Sequence, residues 1–162
     1  MAITEYYTPT HVYFGKGVED KAGEILKKRG ATKVLVHFGG GSVKKSGLLN
    51  KVENSLEENG ISYIELGGVV PNPRISLVRE GVEIGRREGV DYVLAVGGGS
   101  VVDSAKAICY GIFDKEKGDT WDYYAYTRVP EGATPLGVIL TLSATGSEMS
   151  DSSVITNEEK GL

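Results

Sequence analysis

Apolar positions along this chain alternate between two kinds of pattern. Four short runs rich in β-branched residues, KVLVHF (33–38), ISYIEL (61–66), DYVLAV (91–96) and LGVIL (136–140), read as strands buried on both faces. The stretches between them carry helical spacing. Residues 18–28 align Ala22, Ile25 and Leu26 on one side, and residues 48–58 align Leu49, Val52 and Leu56. Residues 75–88 repeat the pattern with Val78, Val82 and Ile84, and residues 101–112 with Ala105, Ile108 and Ile112. A further run near the start, THVYF (10–14), reads as an extra β strand. Strands alternating with helices predict a doubly wound, Rossmann-like α/β fold, a parallel sheet with flanking helices, in one domain over residues 1–162. Pro71-Asn72-Pro73 is rigid punctuation before a helix. Residues 114–128 mix charges and aromatics without a period and read as an ordered loop.

Charge and composition narrow the function. A net charge of −4 gives no general attraction for nucleic acid, so any anion must be held locally by backbone N–H groups and a few placed lysines. A single cysteine, Cys109, excludes an internal disulfide and fits a reducing compartment. The first residues lack the basic start and apolar run of a secretory leader, and no apolar run approaches the ~20 residues that span a bilayer. A cytoplasmic protein without membrane or nucleic-acid partners is expected. The 23 glycines matter because they gather in two triplets, Gly39-Gly40-Gly41 and Gly97-Gly98-Gly99, each directly after a strand. In parallel sheets those strand ends are where ligands bind.

The second triplet opens a helix. Glycines allow a tight turn and a close approach of backbone to ligand, and a helix start offers free N–H groups and a positive dipole end. A pyrophosphate over Gly98, Gly99 and Ser100 is the expected occupant. Ser100 is placed to cap the helix, with Asp103 completing a capping-box-like pair. A plain cap with a flexible turn explains one such junction equally well, but two on one sheet edge favour a nucleotide. After the first triplet the chain runs Ser42-Val43-Lys44-Lys45 with no acid to bond a ribose 2′-hydroxyl. N–H groups, a hydroxyl and two cations suit a 2′-phosphate, although Lys44 and Lys45 also read as a solvated surface pair. NADP is therefore expected over NAD.

Gly97-Gly98-Gly99-Ser100-Val101-Val102-Asp103-Ser104-Ala105-Lys106-Ala107-Ile108 resembles the phosphate-binding motif of the iron-containing (group III) alcohol dehydrogenases. Val101, where most of that family has proline, resembles its butanol dehydrogenase and aldehyde reductase branch. Pro71-Asn72-Pro73 resembles a second signature of the family. Thr141-Leu142-Ser143-Ala144-Thr145-Gly146-Ser147-Glu148 is similar to its loop over the nicotinamide and ribose. The resemblance implies a dehydroquinate-synthase-like N-terminal domain and a nicotinamide dinucleotide partner. It also implies a 2′-phosphate nest at Gly40, Gly41 and Ser42, and cofactor contacts from Asn72, Asp103, Thr141, Leu142 and Thr145. For the whole enzyme it implies small alcohols and aldehydes as substrates and association into homo-oligomers. Iron or another divalent metal would be held by one aspartate and three histidines in a helical C-terminal domain, which this chain is expected to stop short of. No catalytic residue or metal ligand is assigned here. His37 reads as a core histidine, His11 as exposed and Cys109 as a small core residue. Two alternatives stand beside this: a nucleotide-binding or self-assembling module without catalysis, and a relative of the glycerol dehydrogenase or dehydroquinate synthase groups.

Overall fold

The computed structural model describes residues 8–162. Four strands form one parallel sheet: β1 (Lys33–Phe38), β2 (Ser62–Leu66), β3 (Tyr92–Gly97) and β4 (Leu136–Leu140), in the order β2-β1-β3-β4. The register sets His37 opposite Leu66 on one side and Ala95 on the other, and Gly97 opposite Leu140. The two central strands are the nearly continuous apolar ones. All of β3 is buried, and all of β1 after Lys33, as strands covered on both faces require.

Helices α1 (Ala22–Lys28), α2 (Ser42–Lys45) and α3 (Leu48–Glu58) cover one face, and α4 (Ile75–Glu88) and α5 (Gly99–Phe113) the other. Val34, Val36, Phe38, Leu94 and Val96 face α1 and α3, meeting Leu26, Leu49, Val52 and Leu56. Leu35, Val93 and Ala95 face Val78, Val82, Ala105 and Ile108 of α4 and α5. The alternation of side chains along each strand thus divides the apolar residues into two cores.

Three expectations need correction. Residues 10–14 form no strand: no neighbour among the described residues pairs with their backbone, and Phe14 and Val12 are 101% and 66% exposed. Residues 18–28 are not one helix, since Val18–Lys21 is a 3₁₀ turn leading into α1. The loop 114–128 contains one helical turn, α6 (Trp121–Tyr124). That loop is ordered by Arg128, which makes two hydrogen bonds to the Asp114 carboxylate at 2.8 and 3.1 Å. The guanidinium holds the Asp114 carboxyl well below the usual carboxylate range.

His37 and Cys109 lie in the core as expected. His37 is fully buried, with Nδ1 2.8 Å from the Leu66 carbonyl and Nε2 2.8 Å from the Ser104 hydroxyl. A carbonyl only accepts, so Nδ1 donates and the unprotonated Nε2 accepts from Ser104. Burial raises the Cys109 thiol's pKa far above its ordinary value and leaves it unreactive. Among the described residues no helix is long and apolar enough to cross a membrane.

Candidate functional site

The chain leaves β1 toward β2, then returns past β1 to lay down β3 on its other side. Between β1 and β3 the connections diverge, α2 and α3 to one face and α5 to the other. Such a switch point opens a crevice outside the carboxyl ends of the two strands. Gly39–Ser42 forms one wall of that crevice and Gly97–Ser100 the other. A Cβ on Gly39 would stand 3.7 Å from Val101 Cγ2, so the first turn rests against the start of α5. Around Gly40 there is open space.

The N-terminus of α5 is aimed at this crevice. Gly98 is its N-cap in extended backbone (φ −93, ψ −169), and no side chain caps it. The expected capping box is therefore not formed: the helix starts at Gly99, one residue before Ser100, which places Ser100 and Asp103 inside it. The first N–H groups of a helix lack intrahelical acceptors; here those of Val101 and Val102 bond to Gly98 O at 3.0 and 3.2 Å, and no side chain of the cap residue reaches the first turn.

The Asp103 carboxylate is committed elsewhere. Its Oδ1 accepts from the Ser147 hydroxyl at 2.6 Å and its Oδ2 from the Val154 N–H at 3.3 Å. Beside it on α5, Lys106 is 7% exposed and donates to Ser147 O at 2.6 Å, Ser147 Oγ at 2.9 Å and Ser152 O at 2.7 Å. Desolvation lowers the Lys106 pKa, opposed by the charges of Asp103, Asp151 and Glu148. These bonds draw the segment after β4 over the start of α5. Thr141 continues the ladder by donating its N–H to Gly97 O at 3.0 Å. The Thr145 hydroxyl lies where Gly99 leaves room, since a Cβ there would come within 2.7 Å of it. A Cβ on Gly98 would be 3.8 Å from Leu142 Cβ.

The fold thus brings Gly40, Gly41, Ser42, Gly98, Gly99, Ser100, Thr141, Leu142 and Thr145 to three adjacent strand ends, in the order β1, β3, β4. Asn72 stands apart in the connection from β2 to α4, exposed and in the left-handed region (φ 58). Lys44 is not a free cation: it pairs with Glu65 of β2 at 2.9 Å and lies over the Phe38 ring. Lys106 escaped the sequence reading. Its signal was a lysine on the same stripe as Val102 and Cys109, but its acceptors lie more than forty residues away. An apolar groove runs along β4, lined by Leu136, Val138 and Tyr110, and reaches the crevice at Ser42 and Thr141.

A parallel α/β sheet with glycine turns at its switch point defines the class, a Rossmann-like domain. The family follows from comparison: residues 9–162 match the sequence model of the iron-containing alcohol dehydrogenases, and the chain belongs to that family. It is 48% identical to NADH-dependent butanol dehydrogenase A of Clostridium acetobutylicum, over 98% of this chain and 40% of that protein. It is 39% identical to the NADPH-dependent aldehyde reductase YqhD of Escherichia coli, over 96% of this chain and 39% of the reductase. The crystal structure of NADH-dependent butanol dehydrogenase A from Thermotoga maritima superposes with a TM-score of 0.94 at 46% identity, over 99% of this chain and 40% of that one. The chain therefore spans about 40% of the length of the relatives it matches.

The family implies a nucleotide cofactor and iron. The open space at Gly40 and the uncapped start of α5 fit the nucleotide's phosphates. For iron the residues do not fit: among the described residues no group of three or more His, Cys, Asp or Glu side chains could hold a metal ion.

Proposed function

We propose that this chain is the dinucleotide-binding part of an alcohol dehydrogenase that interconverts primary alcohols and aldehydes, with NADP lying across the strand ends. The observation that carries this reading is the pair of glycine turns on either side of the switch point, the second of them opening into the N-terminus of α5. In this reading the N–H groups of Gly40 and Gly41 and the Ser42 hydroxyl hold the 2′-phosphate. Gly98, Gly99 and Ser100 receive the pyrophosphate at the positive end of α5. Thr141, Leu142 and Thr145 screen the nicotinamide half from water, Asp103 fixes that segment in place, and Asn72 closes the crevice from the β2 side. The bound nicotinamide supplies or accepts the hydride. Val12 and Phe14 project apolar side chains into solvent, and we include self-association and a cytoplasmic location in the proposal.

A second reading, NADH as the working cofactor, is favoured by a specific contact. Glu65 neutralises Lys44, the cation two residues beyond Ser42. Calorimetric titration with NADPH and NADH separates the two. The NADP reading expects NADPH to bind at least about tenfold tighter, equivalent to about 1.4 kcal/mol. Tighter binding of NADH would overturn the 2′-phosphate assignment. In either case Glu65→Gln, by freeing Lys44, is expected to shift the ratio toward NADPH by about fivefold, the size of an exposed ion-pair effect. An unchanged ratio would remove Lys44 from the cofactor site.

A further inference from the structure

We infer that Lys106 is a positioning residue: it pins the segment after β4 and so sets affinity for the nicotinamide half of a dinucleotide, leaving the adenosine half unaffected. This rests on the dinucleotide reading of the crevice. The strand order places the turn after β1, the start of α5 and the segment after β4 in a row. A dinucleotide with its adenosine end at Gly40–Ser42 and its pyrophosphate at Gly98–Ser100 must present its nicotinamide end to residues 141–145.

Those five residues are all exposed, so no buried side chain of their own holds them. What fixes them lies just beyond. Ser147 is buried, with its hydroxyl donating to Asp103 and its hydroxyl and carbonyl both accepting from Lys106. Its N–H reaches the Thr145 hydroxyl at 3.4 Å. The Lys106 ammonium also bonds to Ser152 O, and so clamps both ends of the 147–152 turn to α5. All three of its protons are used, as a buried ammonium requires.

Stability alone does not explain a lysine here. Apolar residues of similar volume often replace buried charged groups without loss, and the same stripe of α5 carries Val102 and Cys109 in the core. The distinctive property of the ammonium is that it gathers three acceptors from one loop into a fixed arrangement. With the clamp gone, Ser147 keeps only its bond to Asp103, and Thr145 and Leu142 are held less firmly against Gly99 and Gly98.

The test is Lys106→Met in the chain as it stands. Calorimetry would follow NADPH and NADH, and in parallel the adenosine-side fragments 2′,5′-ADP and ADP. The expected result is at least a tenfold loss of dinucleotide affinity with less than a twofold change for the fragments. Lys106→Arg, which can still donate to the same carbonyls, should recover part of the loss. Should the methionine variant fail to fold, Ser147→Ala removes the hydroxyl linking Asp103 to Lys106 and carries the same selective expectation. Unchanged dinucleotide affinity, or equal losses for dinucleotide and fragment, would overturn the role of Lys106. A wild-type chain that binds neither dinucleotide nor fragment would instead overturn the crevice reading beneath it.

Discussion

Gly23→Ala should unfold this chain more readily than any other single methyl addition to its glycines, lowering stability by at least about 3 kcal/mol. Gly23 lies where α1 crosses α3. A Cβ built there would stand 1.9 Å from the Ser55 carbonyl oxygen and 2.5 Å from its carbon. Both atoms belong to the α3 backbone, so no side chain can rotate aside. The helices must separate, which breaks the Gly23 N–H to Ser55 Oγ bond at 3.0 Å and the Ser55 Oγ to Asp20 O bond at 2.7 Å. Gly85 makes the useful contrast. A Cβ there would meet Ile112 Cδ1 at 2.3 Å and Cγ1 at 2.6 Å, both side-chain atoms that can shift without moving the backbone. Thermal unfolding should therefore show Gly23→Ala melting roughly 6–12 °C below the parent, at about 2–4 °C per kcal/mol for a domain of this size, and Gly85→Ala much closer to it. Equal losses would mean that the two helix contacts are alike.

Acidification should weaken the fold through His37. Burial, opposed in part by the hydrogen bond to the Leu66 carbonyl, pushes the His37 pKa from 6.5 down to about 4. Between those values the unfolded chain binds a proton that the folded chain excludes, so stability falls as pH falls through this window. At 1.36 kcal/mol per unit the loss is about 2 kcal/mol by pH 5 and about 3 kcal/mol in full. Asp114, whose pKa is depressed by Arg128, acts lower. Its contribution is present above the ordinary aspartate value and is lost only as pH drops below that value. Urea unfolding at pH 7.5, 6 and 5 measures the slope. His37→Gln should be less stable at neutral pH, losing the paired ring, but should lose most of the dependence between pH 6.5 and 5. A parent with flat stability over that range would show that His37 does not titrate as its burial requires.

Much of the architecture was legible in the sequence because the apolar runs are short, β-branched and bounded by glycine. The first and fourth strands, and the helices over Leu48–Glu58 and Ile75–Glu88, fall where the periodicity places them. The failures have separate causes. THVYF alternates as a strand does, but a strand needs a partner, and none among the described residues pairs with it. The one-turn helix Ser42–Lys45 is too short to show a period. The Ser100–Asp103 spacing matches a capping box, but the backbone turns into the helix at Gly98 and leaves both residues inside it. The clamp by Lys106 depends on contacts between distant segments, which no local pattern reveals. Nor does the sequence around Lys44 show that Glu65, on the neighbouring strand, takes its charge.

On the proposed function, the three strand-end turns form one dinucleotide site. Backbone amide spectra of the isotope-labelled chain, recorded through a titration with NADPH, test it most directly. Saturable shifts are expected at Gly40–Ser42, Gly98–Ser100 and residues 141–145, all following one binding curve. Shifts confined to the groove along β4, at Leu136, Val138 and Tyr110, with the glycine turns unmoved, would contradict it.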